Sequence, residues 1–409
     1  RDLHYPLRRQ RQMCIRDSMN TTQKLYMMNQ FPNNPDQQVT LANWRTSPHN
    51  KWAFQHVREL VPSANIQNNP SQAQNLPHQK YDFSAVKVEL DNQSQLTYEE
   101  FLKTTDTDAL IILKDGIIIE ERYFHEMARN TPHILMSVSK SILGLLIGIL
   151  IDQKIFKAAD KVCAILPELN STAYKEATIR DLLDMRTGVT FVEDYLATSG
   201  LMIDYRKATN WNPLENNETP SDLRSFYRLL DKKSHPDGKQ FNYVSPNSDL
   251  LGWIIERSTG ERFSDILSDL FWKPLGATMP SYITVDRLGA PRVAGGLCTT
   301  AIDLALVGQL FLDYGFTNGQ QILPKNWLQD IQENGSRDAW LEGNFAEYFP
   351  TATLQYKVQQ PFILTNTKDN YDLKVTVKGG GYNGQAEAVR LAISRALCKI
   401  NEDFRSELK

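Results

Sequence analysis

A serine and a lysine three positions apart, Ser137 and Lys140, are the residues of this chain best suited to carry out chemistry. The apolar run that follows them, 142–151, predicts a buried helix. A spacing of three brings both side chains near one face of the first helical turn. Free backbone N–H groups and the positive end of the helix dipole favour negative charge there. A nucleophile, a base and such a field are what acyl transfer through a serine requires.

The elements that must position this pair are predicted from apolar patterning. Residues 108–124 alternate around Lys114-Asp115-Gly116, a strong turn signal, and predict a β-hairpin. Alternation also predicts strands at 353–362 and 371–377. Helical spacing predicts helices at 179–185, 223–230, 248–258, 263–270, 300–314 and 385–400.

The composition argues against several classes of protein. With 409 residues, 41% of them apolar, the chain can bury a sizeable core, and its net charge of −3 gives no bias towards nucleic acid or anionic membranes. The apolar run is about half of the roughly 20 residues that a membrane span needs. The cysteines at 14, 163, 298 and 398 form no metal-binding or disulfide pattern, which favours a reducing cytoplasmic location.

Two alternatives to a serine–lysine site come from the residues themselves. A serine three positions before a lysine occurs by chance in many chains and also fits a capped helix with a surface lysine. A Ser-His-Asp triad on an α/β-hydrolase fold would require a GxSxG turn and a histidine late in the chain. The sequence has no GxSxG, and its last histidine is His235.

Seven stretches, in order and with sensible spacing, resemble the serine hydrolases of the class C β-lactamase and penicillin-binding-protein superfamily, and within it the 6-aminohexanoate-dimer hydrolase branch. They are PHNKWAFQHVRELVP, ILMSVSKSILG, LLDMRTGVTFVEDYLA, FNYVSPNSDLLGWIIER, FWKPLGA, YITVDRLGAPRVAGGLCTT and DLALVGQLF. The resemblance covers about residues 43–349. It implies an α+β fold (an α/β sandwich) in which helices flank a five-stranded antiparallel sheet, with a mostly helical lobe beside it. It also implies hydrolysis of a small-molecule amide or ester, with no cofactor, metal or membrane.

The catalytic roles follow from the matching positions. The resemblance makes Ser137 the acylated nucleophile, Lys140 its partner, and Tyr243 of FNYVSPN the proton shuttle to the leaving group. Lys140 must be at least partly neutral to accept a proton, and burial promotes that form. A packed aromatic at the end of a strand is the alternative for Tyr243.

Three further positions are implied to contact the substrate. Tyr195 matches a tyrosine at the substrate mouth of amide-hydrolysing relatives, although an ordinary loop aromatic is an equal alternative. Ser245 stands where the superfamily usually has the asparagine of Tyr-x-Asn. Asn247 is an amide close to that position.

The C-terminal stretch resembles a different family. Residues 347–409, which contain KGGGYNGQAEAVR, are similar to the small-subunit ribosomal protein nine (uS-nine) family. The resemblance implies ribosomal RNA as a partner, through phosphate contacts and close backbone approach at glycines. The implied RNA-contacting residues are Lys378, Gly379, Gly380, Gly381, Arg390 and Arg395. The stretch from 357 holds nine Lys or Arg and six Asp or Glu, which also fits a solvated helix face.

The sequence therefore divides into four parts. Residues 1–18 resemble translated sequencing-adapter sequence and are interpreted as an artefact, the alternative being a basic N-terminal arm. Residues 19–107 are predicted to be a polar N-terminal extension, 108–348 the hydrolase domain, incomplete at its C-terminal strands, and 349–409 an α+β ribosomal fragment. A chimera is the simplest interpretation, and a natural fusion is the alternative.

A chimera has a physical consequence. The superfamily's third motif, a Lys/His-x-Gly on a sheet strand, is expected near Gly379, and its replacement predicts an uncovered sheet edge and an open core. Several large apolar side chains would lose about 1.5–3 kcal/mol of burial each, which rivals a domain stability of roughly 5–15 kcal/mol. We therefore expect the chain to fold poorly as written, although its intact parent would be an enzyme; a single cooperative melt of soluble protein would contradict this.

Overall fold

The computed structural model describes residues 27–29, 31–89, 95–334, 349, 352–367, 370–371, 373, 375 and 382–408. The strands in these ranges are β1 (Ser63–Ile66), β2 (Lys87–Glu89), β3 (Gln95–Thr97), β4 (Ala109–Lys114), β5 (Ile117–Tyr123), β6 (His133–Ile134), β7 (Ser281–Thr284), β8 (Leu297–Thr299), β9 (Phe316–Thr317) and β10 (Gln320–Gln321).

The α-helices in the same ranges are α1 (Asn50–Ala53), α2 (Tyr98–Thr104), α3 (Ser139–Asp152), α4 (Val162–Ile165), α5 (Ile179–Leu183), α6 (Leu201–Ala208), α7 (Leu223–Phe226), α8 (Ser245–Thr259), α9 (Phe263–Leu267), α10 (Lys273–Leu275), α11 (Ala301–Leu312), α12 (Lys325–Asn334), α13 (Ala352–Leu364), α14 (Tyr382–Ile400) and α15 (Phe404–Glu407). None of the described helices is both long enough and apolar enough to span a bilayer. The mixture of helices and antiparallel sheet agrees with the predicted α+β fold.

An antiparallel sheet with the strand order β1-β7-β8-β6 carries the nucleophile region. Residues 281–284 pair with 63–66 on one side, and Tyr282 and Ile283 pair with Cys298 and Leu297 on the other. The short strand β6 pairs with β8 and ends immediately before the turn that holds Ser137. The sheet therefore fixes the chain on the N-terminal side of the nucleophile.

The predicted hairpin is confirmed, but it is not part of this sheet. Strands β4 and β5 pair antiparallel with a bulge between Ile112 and Leu113. Asp115 and Gly116 both have positive φ, as a two-residue turn of type I′ requires. The segment that begins at Pro77 bonds to β5: the Ile118 N–H donates to the Pro77 carbonyl at 2.8 Å. In the described ranges β4 pairs with β5 alone, so its outer edge has no strand partner there.

The helix predicted after Ser137 is confirmed and forms the centre of the core. Nearly all residues of α3 from Ile142 to Leu150 are buried, so this is a core helix in which both faces are covered. The other helices predicted between residues 179 and 314 are present, although α7 and α9 are shorter than expected. A 3₁₀ turn continues α7, and a π-turn at Ser268–Trp272 continues α9.

The segment predicted as a polar N-terminal extension packs against the main sheet. It contributes strand β1 and a cluster in which Trp44, Val57 and Val61 are buried beside Trp211 and Tyr282. The indole N–H of Trp44 donates to the Trp211 carbonyl at 3.1 Å. The sequence analysis did not predict that this segment joins the core, because its apolar residues are few, large and widely spaced.

The prediction of a strand at 353–362 is wrong. These residues lie within helix α13, because Leu354, Val358 and Pro361 are buried at helical spacing. The helix predicted at 385–400 is confirmed as α14. Its apolar residues and those of α13 form a cluster separate from the main core. Much of 371–377, predicted as a strand, lies outside the described residues, and the described positions 371, 373 and 375 are not in a strand.

Two glycines of α3 provide a matched test of the core. An alanine at Gly148 would overlap the indole of Trp327, whereas the same methyl group at Gly144 meets nothing within 4 Å. We expect Gly148→Ala to lower the free energy of unfolding by about 1–3 kcal/mol through overpacking. We expect Gly144→Ala to raise it by up to about 1 kcal/mol through helix propensity. Chemical denaturation measures both, and equal effects would show that α12 does not pack on α3 in this way.

Candidate active site

The structure brings the serine, the lysine and the tyrosine together, although 106 positions separate Ser137 from Tyr243. The amine of Lys140 donates to Oγ of Ser137 at 3.0 Å, and the Tyr243 hydroxyl donates to the same oxygen at 2.9 Å. The Lys140 amine also lies 5.1 Å from the centre of the Tyr243 ring. Ser137 is exposed, so a substrate can approach an oxygen that already receives two hydrogen bonds.

Backbone geometry presents Ser137 at the junction of a strand and a helix. Residues Met136–Val138 form a 3₁₀ turn between β6 and α3, and Met136 has a φ of 47°. A positive φ at a residue with a side chain is strained and persists where surrounding contacts impose it. Those contacts come from strand β8: the Leu135 N–H donates to the Leu297 carbonyl at 2.8 Å, and the Leu297 N–H donates to Oγ of Ser139 at 3.3 Å.

Lys140 is held from its other side by the backbone of Ala294. The lysine amine donates to the Ala294 carbonyl at 2.7 Å, and the Ala294 N–H donates to Asp249 at 2.8 Å. Asp249 is fully buried and forms an ion pair with Arg292. Burial alone would lower the pKa of Arg292, but the charge of Asp249 and neighbouring groups outweighs it and raises the pKa. A buried ion pair thus fixes the peptide that orients the lysine.

Glu193 connects the Tyr195 loop to the start of helix α8. Its carboxylate accepts from the Tyr195 hydroxyl at 2.8 Å, from Oγ of Ser245 at 2.6 Å and from the Ser245 N–H at 2.7 Å. Burial and the Glu193 charge raise the pKa of Tyr195, which keeps its phenol protonated into alkaline solution. The Tyr195 side chain is 62% exposed, and its place at a substrate mouth stays a prediction.

Two predicted substrate contacts need correction. Asn247 is fully buried, and its side chain bonds to Tyr174 at 2.9 Å and to Thr187 at 2.9 and 3.1 Å. The Ser245 side chain is also buried and is engaged by Glu193. Both residues lie on the first turn of α8, and because their side chains are buried and bonded within the protein, they are not exposed to a substrate.

Two adjacent glycines permit close packing beside the nucleophile. A side chain at Gly295 would meet the Trp211 ring at 3.2 Å and the Met136 backbone at 3.7 Å. A side chain at Gly296 would overlap Oγ1 of Thr284. The absence of a side chain at Gly295 therefore lets Trp211 pack against the turn that holds Ser137.

The residues predicted to contact RNA lie apart from this site in the sequence. Lys378, Gly379, Gly380 and Gly381 lie outside the described residues, as does the expected place of the third motif. Arg390 bonds to Gln360 and pairs with Glu387, and Lys357 pairs with the same glutamate. Arg395 is exposed on α14.

Sequence reasoning missed three members of the site. Ala294 acts through its backbone, which leaves no trace in residue type. Asp249 and Glu193 are acidic residues of a kind that usually lies on the surface. A signal for Asp249 was its place immediately before the apolar run at 250–255, where an unpaired carboxylate is costly and an arginine partner is expected.

Comparisons of sequence and structure relate the chain to known hydrolases. Residues 98–395 match the model of the Beta-lactamase family. The chain is 31% identical over 355 residues to a 6-aminohexanoate-dimer hydrolase of Paenarthrobacter ureafaciens, covering 87% of this chain and 86% of that protein. A solved structure from Bacillus anthracis, described as a candidate 6-aminohexanoate-dimer hydrolase, superposes with a TM-score of 0.69 at 26% identity. It covers 74% of this chain and 78% of that one.

A second similarity is short and strong. Over 65 residues the chain is 60% identical to the small ribosomal subunit protein uS9 of Flavobacterium psychrophilum. This covers 16% of the chain and 51% of that protein, so the chain spans about half the length of this relative. The similarity supports the interpretation of the sequence as a chimera.

The buried ion pair behind Lys140 can be tested by removing one charge. We expect Asp249→Asn to lower the free energy of unfolding by about 3–5 kcal/mol, because Arg292 is left buried without its counter-ion. Asp265→Asn, an exposed aspartate on α9, should change it by no more than about 0.5 kcal/mol. Urea denaturation measures both variants, and similar small values would contradict the burial of this pair.

Proposed function

Because the chain belongs to the beta-lactamase family, we propose that it is a serine hydrolase that cleaves an amide or an ester through an acyl-serine intermediate on Ser137. The observation that carries this proposal is the pair of hydrogen bonds that Lys140 and Tyr243 make to one exposed serine oxygen. The alternative, a capped helix with a surface lysine, does not explain why a tyrosine 106 positions away bonds to the same serine.

The first half of the reaction acylates the serine. Lys140 acts as the general base and takes the Ser137 proton as Oγ forms a bond to the substrate carbonyl carbon. The nearby N-terminal turn of α3 favours the negative charge that develops. When the bond to the leaving group breaks, Tyr243 gives its proton to the departing nitrogen or oxygen and is reprotonated by Lys140.

The second half releases the acid. A water molecule attacks the acyl ester, the same groups accept and return its proton, and Ser137 is restored. The carbonyl of Ala294 holds the lysine amine in reach of the serine throughout, since it accepts a hydrogen bond from the same amine that bonds to Ser137.

The surroundings of the site support an aliphatic substrate. Val138 follows the nucleophile and is 46% exposed, while Val192 and Leu196 flank Glu193 and Tyr195 and are 77% and 55% exposed. Exposed apolar side chains at an active-site mouth favour apolar ligand segments. A relative that is 31% identical is named for the hydrolysis of the 6-aminohexanoate dimer. We infer that amides and esters with an aliphatic chain are the substrate class.

Covalent labelling tests the nucleophile directly. We expect a fluorophosphonate probe to attach to Ser137, as found by peptide mapping, and Ser137→Ala to abolish the label. Lys140→Ala and Tyr243→Phe should each slow labelling by roughly 100-fold or more, because each removes a group that moves the proton. Asp265→Asn, an exposed aspartate on α9 with no role in the site, should label at close to the unmodified rate. Attachment to another serine, or labelling that ignores both variants, would refute the proposal.

The similarity to protein uS9 supports a second candidate, a constituent of the small ribosomal subunit that binds ribosomal RNA through the C-terminal segment. The described contacts weaken this candidate, because Arg390 and Lys357 both pair with Glu387 and so have part of their charge neutralised. We expect the chain not to co-sediment with small ribosomal subunits in a sucrose gradient at physiological salt. Co-sedimentation that Arg395→Gln weakens would favour the ribosomal candidate.

A further inference from the structure

A cavity of about 850 Å³ lies beside strand β5, and its lining includes none of Ser137, Lys140 and Tyr243. Three parts of the chain enclose it: residues 118–122 of β5, residues 97–99 at the junction of β3 and α2, and residues 78 and 80–84 of the segment that runs beside β5. The N–H of Tyr81 donates to the Ile119 carbonyl at 3.1 Å, so main-chain bonding holds that segment against the strand. The cavity is therefore a built feature of the fold.

Aromatic rings supply part of the cavity lining. Tyr81, Phe83 and Tyr98 all line it. The Phe83 ring stacks on Tyr98 with 5.2 Å between the ring centres, and Tyr81 meets Phe83 edge to face at 4.9 Å. Aromatic rings offer a large apolar area together with a negative π face that attracts organic cations. This lining therefore suits a ligand that has an apolar body and a positive charge.

Glu120 supplies a negative charge without a hydrogen-bond donor. Its side chain lines the cavity, is only 8% exposed and makes no hydrogen bond to the described residues. The cation that pairs with it, Arg122, lies 3.8 Å away and donates instead to both carboxylate oxygens of Glu99, at 2.5 and 2.9 Å. Burial, followed by the Glu120 charge, raises the pKa of the Tyr98 phenol, so the carboxylate lies close to the aromatic rings. Because a carboxylate removed from water is costly without a donor, Glu120 points to a donor from outside the protein.

The remaining charged groups of the lining do not provide that donor. Glu121 is bonded to His78 at 2.6 Å, and Asp82 accepts a main-chain N–H at 2.9 Å. Lys80 acts on Asp82, whose pKa its charge helps to lower. Four carboxylates line the cavity together with one lysine and one arginine, so the excess charge is negative. Among these four, Glu120 is the carboxylate left without a hydrogen bond in the described part of the chain.

We propose that this cavity binds a primary alkylammonium ion, with Glu120 as the acceptor of its N–H groups and the three aromatic rings against its methylene chain. An ammonium group brings three donors and a full positive charge, and its hydrogen bonds to a carboxylate are charge-assisted. The rings add a cation–π attraction. The proposal does not depend on the proposed hydrolysis, since no lining residue belongs to the catalytic set.

Calorimetry on the full chain tests the site with two probes of similar shape, hexylammonium and neutral 1-hexanol. We expect the ammonium to bind at least about tenfold more tightly, because it alone brings a charged donor to Glu120. Glu120→Gln should remove this preference. Phe83→Leu should weaken ammonium binding about two- to fivefold, since it keeps an apolar side chain but removes a ring.

The matched control is Glu126→Gln, because Glu126 is an exposed glutamate close in sequence to β5 and outside the cavity lining. It should leave the preference unchanged. Equal binding of the two probes, or a preference that survives Glu120→Gln, overturns the proposal. If Glu120→Gln does not fold, Phe83→Leu decides, and an unchanged ammonium affinity in that variant overturns the site. A preference that disappears when Ser137 is blocked by a fluorophosphonate would place the ammonium in the candidate active site and likewise overturn it.

Discussion

The amine of Lys140 lies between two oxygens, and the site depends on that arrangement. One is Oγ of Ser137 at 3.0 Å, and the other is the carbonyl of Ala294 at 2.7 Å. A lysine on the first turn of a helix has many rotamers in water, and confining it to one costs conformational entropy. The second hydrogen bond offsets that cost, because it orients the amine towards the serine before any substrate arrives.

A buried ion pair next to Ala294 fixes the position of this residue's peptide group. Asp249 accepts the Ala294 N–H and pairs with Arg292, which in turn stacks on Tyr205 and Trp211. Buried ion pairs add little net stability when compared with apolar packing. Their advantage here is geometric, since they fix one peptide of the chain next to the catalytic amine.

Local features of the sequence could be predicted well, and those that depend on distant partners could not. The helix after Ser137 follows from its continuous apolar run, and the 108–124 hairpin follows from Asp115-Gly116. The meeting of Ser137, Lys140 and Tyr243 was reached through family resemblance, because no periodicity relates positions 106 residues apart. Asn247 was predicted to contact the substrate because it follows Tyr243 closely in the sequence, whereas the structure buries it in hydrogen bonds with Tyr174 and Thr187. The prediction of a strand at 353–362 was wrong because the alternation there is weak. The apolar positions 354, 358 and 361 also have helical spacing, and as a helix the segment buries them against α14.

The acceptor for the Lys140 amine is a main-chain carbonyl, and this affects how the protein can vary. A side-chain acceptor disappears with a single codon change, whereas every amino acid brings its own carbonyl to position 294. Natural drift at that position is therefore limited by the space around its methyl group, and serine or glycine would preserve the contact. Substitutions should instead be tolerated least at positions 249 and 292, neither of which contacts the reacting atoms. A survey of homologues that considered only catalytic residue types would overlook both positions.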